Sequence, residues 1–201
     1  MLALLIAIAI VLAVVGFVWL TYNRMVARRL AVDNSWSQID VELKRRHDLI
    51  PALVEAVRGY AGHERTTFER VTEARSDAMT ASGPPRRAAA EGTLSVVLGR
   101  LLAIAEAYPQ LRASENFAGL QSDLSETEDR IAIARRVYND TVQTYNTLIQ
   151  VFPAVMIARL FGFTPREFFD APDEAAEPPE VRYSAIAQAR AAAGETAAAP
   201  E

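Results

Sequence analysis

The two histidines each sit beside a carboxylate, as His47-Asp48 and His63-Glu64. These are the residue types of general acid–base catalysis and of metal binding. Adjacent residues on a helix point about 100° apart, so neither pair presents both groups on one face. The sequence has no Glu-x-x-His repeat of the di-iron bundle type and no HExxH. It has no cysteine, which excludes a disulfide framework, thiolate metal sites and cysteine nucleophiles. The serines and threonines lack a histidine-bearing context for nucleophilic catalysis, and there is no glycine-rich phosphate loop. The residues therefore predict no metal and no cofactor.

Three other polar motifs invite binding rather than chemistry. Lys44-Arg45-Arg46 is a basic cluster. On a straight helix Lys44 would stand ~33 Å beyond Tyr22, far outside a Debye length of ~8 Å. Its expected partners are therefore carboxylates of the bundle or of another protein, with Glu126-Thr127-Glu128-Asp129 a candidate. Asp48, His63 and Glu64 are read likewise as surface or interface positions. Tyr138-Asn139 and Tyr145-Asn146 repeat at seven residues, placing both tyrosines on one stripe and both asparagines on the next. Core tyrosines with asparagines bonding an adjacent helix is one reading, and a binding groove is the other. Pro51 lies inside a helical stripe, where it removes an amide and frees the His47 carbonyl. Pro51 and Pro153 are both expected to mark kinks.

These groups must be positioned by helices. Twenty of the first 22 residues are apolar and the first charge is Arg24. Twenty residues at ~1.5 Å each cross the ~30 Å hydrocarbon. The exit, Phe17-Val-Trp-Leu-Thr-Tyr22, is bulky and offers no small-x-small cleavage site, so residues 1–23 read as a retained anchor. Arg24, Arg28 and Arg29 follow the span, and no Lys or Arg precedes it. They are the expected lipid-headgroup contacts, and they predict an N-terminus outside and a cytoplasmic domain. The remaining sequence falls to about 46% hydrophobic, an ordinary water-soluble value.

From Trp36 apolar residues recur at steps of three, four and seven through Ile39, Leu43, Ile50, Leu53, Val54, Val57, Tyr60, Ala61, Phe68, Val71 and Ala74. This predicts one helical run ended by Gly83-Pro84-Pro85. A second helix is expected from about Pro85 to Tyr108-Pro109, and a third of about 37 residues from Ser114 to Phe152. After Pro153 a short helix reaches Leu160, with Gly162 as its cap. Thr164-Pro165-Arg166-Glu167 has the pattern of a capping box opening a further helix. The fold class is all-α: a transmembrane helix followed by a long-helix antiparallel bundle of three to four helices over residues 24–169. Residues 170–201 are rich in Ala, Pro and Glu and are expected to form a disordered tail. The net charge of −4 argues against nucleic acid as a partner.

The run Asn34-Ser-Trp36, Arg46-His47-Asp48-Leu49-Ile50-Pro51 and Gly59-Tyr60-Ala61-Gly-His63-Glu64 resembles the LemA family. So do Tyr108-Pro109-x-Leu111, Asn116-Phe117, Glu128, Arg135-Arg136-x-Tyr138-Asn139, Tyr145-Asn146 and Phe152-Pro153. The similarity covers about residues 3 to 169 and leaves the tail outside. It implies a bacterial inner-membrane protein with one N-terminal span, a helical-bundle domain and no established enzymatic activity. By family analogy, membrane peptidases or TPM-domain proteins are candidate partners. Ala52 departs from the family, whose members usually carry Asn after the proline. Three functions remain open at this point: an anchored interaction or scaffold module, a homo-oligomer that organises or remodels membrane, and an enzyme using His47, His63 and neighbouring carboxylates.

Overall fold

The computed structural model describes residues 1–170, and the tail expected over 170–201 lies, beyond Asp170, outside the described residues. The described chain is all-α, with a hydrophobic N-terminal helix running into a packed bundle. Six helices are present among the described residues, α1 (Leu2–Arg58), α2 (Arg65–Thr80), α3 (Pro84–Glu106), α4 (Pro109–Arg112), α5 (Glu115–Gln150) and α6 (Ala154–Leu160). That exceeds the expected count, because the first stripe is two helices and α4 adds a single turn.

The break in the first stripe falls at Gly59-Tyr60-Ala61-Gly62, where α1 ends and the chain turns back into α2. Spacing alone could not show this, since Val57, Ala61 and Phe68 keep helical intervals across the turn and all three are buried. Pro51, in contrast, does not end α1, which stays helical through it. Gly83 takes φ +84°, a left-handed value that glycine tolerates, and lets Pro84 open α3. Gly162, at φ +72°, closes α6 with the Phe163 amide donating to the Ala158 carbonyl at 2.9 Å. The Phe152–Pro153 peptide is cis and separates α5 from α6.

α5 packs along the part of α1 that follows the exposed N-terminal stretch, α2 pairs with α3, and α6 folds against both α1 and α5. Two apolar cores result. The proximal core joins Met25, Val32, Ile39 and Leu43 of α1 to Ile131, Tyr138, Val142, Tyr145 and Ile149 of α5, with Ile157 and Phe169. The distal core joins Ile50, Leu53 and Val57 to Phe68 and Val71 of α2, Leu94, Leu98 and Leu101 of α3, Leu111, Phe117 and Leu124. The residues of Leu2–Leu20 are almost all exposed, as a lipid-facing helix must be outside its bilayer. α3 is also long and apolar enough to cross a membrane, yet it turns Leu94, Leu98 and Leu101 into the distal core.

Candidate functional site

Between the two cores lies a polar layer, set within a step of about two helical turns. On α1 it occupies the step from Leu43 to Ile50, and on α5 the step from Leu124 to Ile131. Its centre is Arg46, 2% exposed. Arg46 donates from Nη1 to Glu91 Oε2 at 3.0 Å and pairs through Nη2 with Glu128 Oε1 at 2.8 Å. The same Nη2 bonds the Ser95 hydroxyl, which in turn donates to the Glu91 carbonyl. His47 is also buried, and its Nε2 lies 2.8 Å from Glu91 Oε1. A carboxylate accepts, so Nε2 carries the hydrogen. Each oxygen of Glu91 thus has its own α1 donor.

The Arg46 Nε is buried without a partner, and the guanidinium makes three of the five bonds it could donate. Burial raises the Glu128 carboxyl above its ordinary value; the attraction of Arg46 opposes this, and the nearby Glu91 and Asp129 add to it. α2 closes the layer on another side. Arg75 Nε donates to the His47 carbonyl at 2.8 Å, the acceptor that Pro51 leaves without its helical amide.

Other charged candidates stay outside. Lys44 forms an exposed pair with Asp48 at 3.3 Å. Arg45 is exposed, and its charge adds a small downward pull on Glu126. The hydrogen bond and charge of Arg130 do most of that, holding Glu126 below its ordinary value. His63 and Glu64 are exposed in the α1–α2 turn. The structure therefore separates the two histidines by burial as well as by position.

A second polar construction involves the Tyr-Asn repeat. The Tyr138 hydroxyl donates to the Glu167 carbonyl at 2.8 Å and the Tyr145 hydroxyl to the Thr164 carbonyl at 3.0 Å. Asn146 exchanges two bonds with the backbone of Arg166, at 2.9 and 2.8 Å. Asn139 accepts from the Phe169 amide at 2.9 Å and donates to the Asp170 side chain at 3.1 Å. The partner of the repeat is thus an irregular strap, not an adjacent helix.

The capping-box expectation fails here, for Thr164–Glu167 forms no helix. Its backbone groups are bound by α5 side chains, which offer the strap a set of partners that a local helix would have to forgo. Phe169 is buried against Trp36, with ring centroids 5.7 Å apart. Arg166 adds a bond to Asp33 at 2.9 Å. Burial raises both Tyr138 and Tyr145 above the usual phenol value.

Glu91 and Arg75 escaped the sequence reading, although one had a signal. Glu91, Leu94, Leu98, Leu101 and Ala105 follow steps of three and four, so a carboxylate stands on the core stripe of α3. Of the headgroup candidates, Arg24 and Arg28 are exposed just beyond the span, while the Arg29 guanidinium lies 5.4 Å from the Phe163 ring centroid.

The LemA family model matches residues 35–183, about three quarters of the chain. The chain belongs to the LemA family. The match covers the polar layer and the strap clamp; against the similarity expected over about residues 3 to 169, it begins after the span and continues past Asp170. The magnetosome proteins MamQ 1 and MamQ 2 of Paramagnetospirillum magneticum are each 28% identical over 188 residues, covering 79% of this chain and 69% of theirs. Protein LemA of Metamycoplasma hominis is 24% identical over 131 residues, 65% of this chain and 60% of its own. This LemA-family chain is a helical, single-span membrane protein, its span supplied by the exposed start of α1.

Proposed function

We propose that this LemA-family protein is a non-enzymatic interaction module of the bacterial inner membrane, its N-terminus outside and its bundle in the cytoplasm. The observation that carries this reading is a groove of about 490 Å³ between α1 and α5, lined by Ser37, Gln38, Val41, Ile133, Ala134 and Val137. Val41 and Ile133 are 64% and 65% exposed there, so two large aliphatic side chains line the groove uncovered. Val41 stands ~28 Å along α1 from Tyr22, so lipid does not reach it. Glu42 and Arg130 close one end with charge.

The occupant that fits is one amphipathic helix of a partner protein, its apolar edge on Val41 and Ile133 and a charged side chain near Glu42 and Arg130. Membrane peptidases or TPM-domain proteins are the candidates that family analogy offers. The inward turn of His47 supports binding over catalysis, because a substrate would have to open the core to meet it. Double replacement of His47 and His63 by alanine tests this point, and loss of function in a folded protein would restore the enzymatic reading.

Proximity labelling from the full-length protein in cells tests partners and compartment together. Cytoplasmic neighbours that disappear with Val41→Asp or Ile133→Asp are the expected result. An unchanged neighbour set in both variants overturns the groove as the docking surface, and periplasmic neighbours overturn the orientation.

A second reading, self-assembly that organises membrane, draws support from the likeness to proteins named for the magnetosome. Size analysis of cross-linked, detergent-extracted protein separates the two. Large homogeneous assemblies favour self-assembly, and small species containing foreign partners favour the interaction module.

A further inference from the structure

The segment Val151-Phe152-Pro153-Ala154-Val155-Met156-Ile157-Ala158-Arg159-Leu160-Phe161 holds one charge in eleven residues. Its inward residues Ala154, Ile157 and Ala158 complete the proximal core. Its outward residues do not follow the usual polar pattern. Phe152 is 80% exposed and Leu160 77%, and Met156, one turn before Leu160, is exposed with them. Scattered single apolar residues on a surface mean little, but a contiguous cluster of large ones marks a contact.

The position of the cluster identifies what covers it. α5 runs back along α1, so its C-terminal end and α6 arrive at the place where α1 leaves the bilayer. The ring of Phe161 meets that of Tyr22 with centroids 4.9 Å apart, and Phe163 meets Tyr22 at 5.7 Å. Phe161 also shares a wholly apolar recess with Val14, Val15, Val18 and Trp19. Those four residues belong to the span, and the stretch from Val14 to Tyr22 rises ~12 Å. A side chain that shares a recess with them shares their depth.

We propose that α6 and the turn before it form a second membrane contact, with Phe152, Met156, Leu160 and Phe161 seated in the bilayer interface beside the span. Cations stand where such a contact needs them. Arg159 lies in the last turn of α6, Arg24 and Arg28 are exposed two and six residues beyond Tyr22, and Arg29 caps the Phe163 ring. Apolar side chains below and arginines above is the arrangement of an interfacial helix that meets phosphate headgroups. Two points of contact fix the rotation of the bundle about the span, which a single helix leaves free. The contact depends on α1 crossing the bilayer and on neither the orientation nor the partner proposed above.

The absence of native cysteine allows one spin label per chain. Phe152→Cys, Met156→Cys and Leu160→Cys are labelled singly in the full-length protein, with Ile133→Cys as an exposed site away from the membrane. Each is placed in anionic-lipid nanodiscs at one chain per disc. Labels at 152, 156 and 160 are expected to collide preferentially with oxygen and to be shielded severalfold from a water-soluble nickel chelate. The label at 133 shows the reverse. Equal nickel access at 133, 156 and 160 overturns the proposal, as does shielding that develops only at two chains per disc, which would assign the patch to a second copy. The three sites are independent, so loss of helicity in one variant leaves the other two to decide.

Discussion

Removing the carboxylate of Glu91 should expose what the polar layer does. In the intact protein one oxygen faces His47 Nε2 at 2.8 Å and the other Arg46 Nη1 at 3.0 Å, all three groups buried. Glu91→Ala leaves Arg46 desolvated with Glu128 as its remaining counter-charge and leaves His47 without its acceptor. Breaking a buried ion pair from one side costs about 3–5 kcal/mol. Glu128 retains its contact at 2.8 Å and is more solvated, so the lower end, about 3 kcal/mol, applies. For a domain of this size each kcal/mol moves Tm by about 2–4 °C, giving a fall of about 6–12 °C. The assay is thermal unfolding of the nanodisc-embedded protein followed by helical circular dichroism. The double variant Arg46→Met/Glu91→Leu removes charge from both sides and should unfold at a higher temperature than Glu91→Ala alone. A Glu91→Ala protein with unchanged Tm, or a double variant showing the full sum of the single losses, refutes the account of Glu91 as the shared anchor of Arg46 and His47.

Three further outcomes follow from the same geometry. Arg75→Met should destabilise the protein by about 1–3 kcal/mol by orphaning the His47 carbonyl; in a Pro51→Ala background, where a helical amide returns, the loss should shrink, and equal losses in both backgrounds would refute the pairing. Glu128 has its carboxyl raised by burial, so its stabilising contribution is complete below the ordinary value of 4.5 and is lost as pH climbs through the raised value; the stability of the natural protein relative to Glu128→Gln should therefore fall from pH 4.5 towards neutrality, and a constant or growing difference in Tm contradicts it. Tyr138→Phe and Asn146→Ala should each loosen the strap, Tyr138→Phe by about 0.5–1.5 kcal/mol, with amide exchange at Arg166 and Phe169 accelerating while that of α5 stays slow.

Much of the architecture was legible because it rests on periodicity. The span, the limits of α3 and α5, and the turn at Pro153 each follow from apolar spacing or from proline and glycine, and those signals are local. The break at Gly59–Gly62 was also local, carried by two glycines, but a buried Ala61 kept the stripe running through the turn. The polar layer depends on partners far apart in sequence. Arg46 stood within a basic cluster whose members look alike on paper, yet Lys44 and Arg45 face water while Arg46 faces the core. Helical phase separates them: Arg46 continues the row of Ile39, Leu43 and Ile50, whereas Lys44 and Arg45 fall on the other side. Reading the stripe by apolar residues alone hides a charged member, and Glu91 was hidden on α3 for the same reason. The strap was misread for a different cause. A capping pattern is a short-range signal, and the Tyr-Asn side chains of α5 override it with four hydrogen bonds to the backbone of Thr164–Glu167 and two more to Phe169 and Asp170.

The continuity of α1 links these features mechanically. A helix bends sharply only where its hydrogen-bond ladder is interrupted, and the one proline inside α1 is Pro51. That interruption lies beyond the polar layer, and Arg75 occupies the carbonyl it frees. From Leu2 to Arg46 the helix is therefore an unbroken strut of ~66 Å, with no proline to act as a hinge between the bilayer and the layer at Arg46 and His47. Tilting the span must then tilt the α1 wall of the α1–α5 groove with it, and α5 follows because the proximal core joins it to α1 along Met25 to Leu43. A partner helix bound across Val41 and Ile133 would be held at a set height and angle above the membrane, whereas a flexible linker after Tyr22 would have left both undefined.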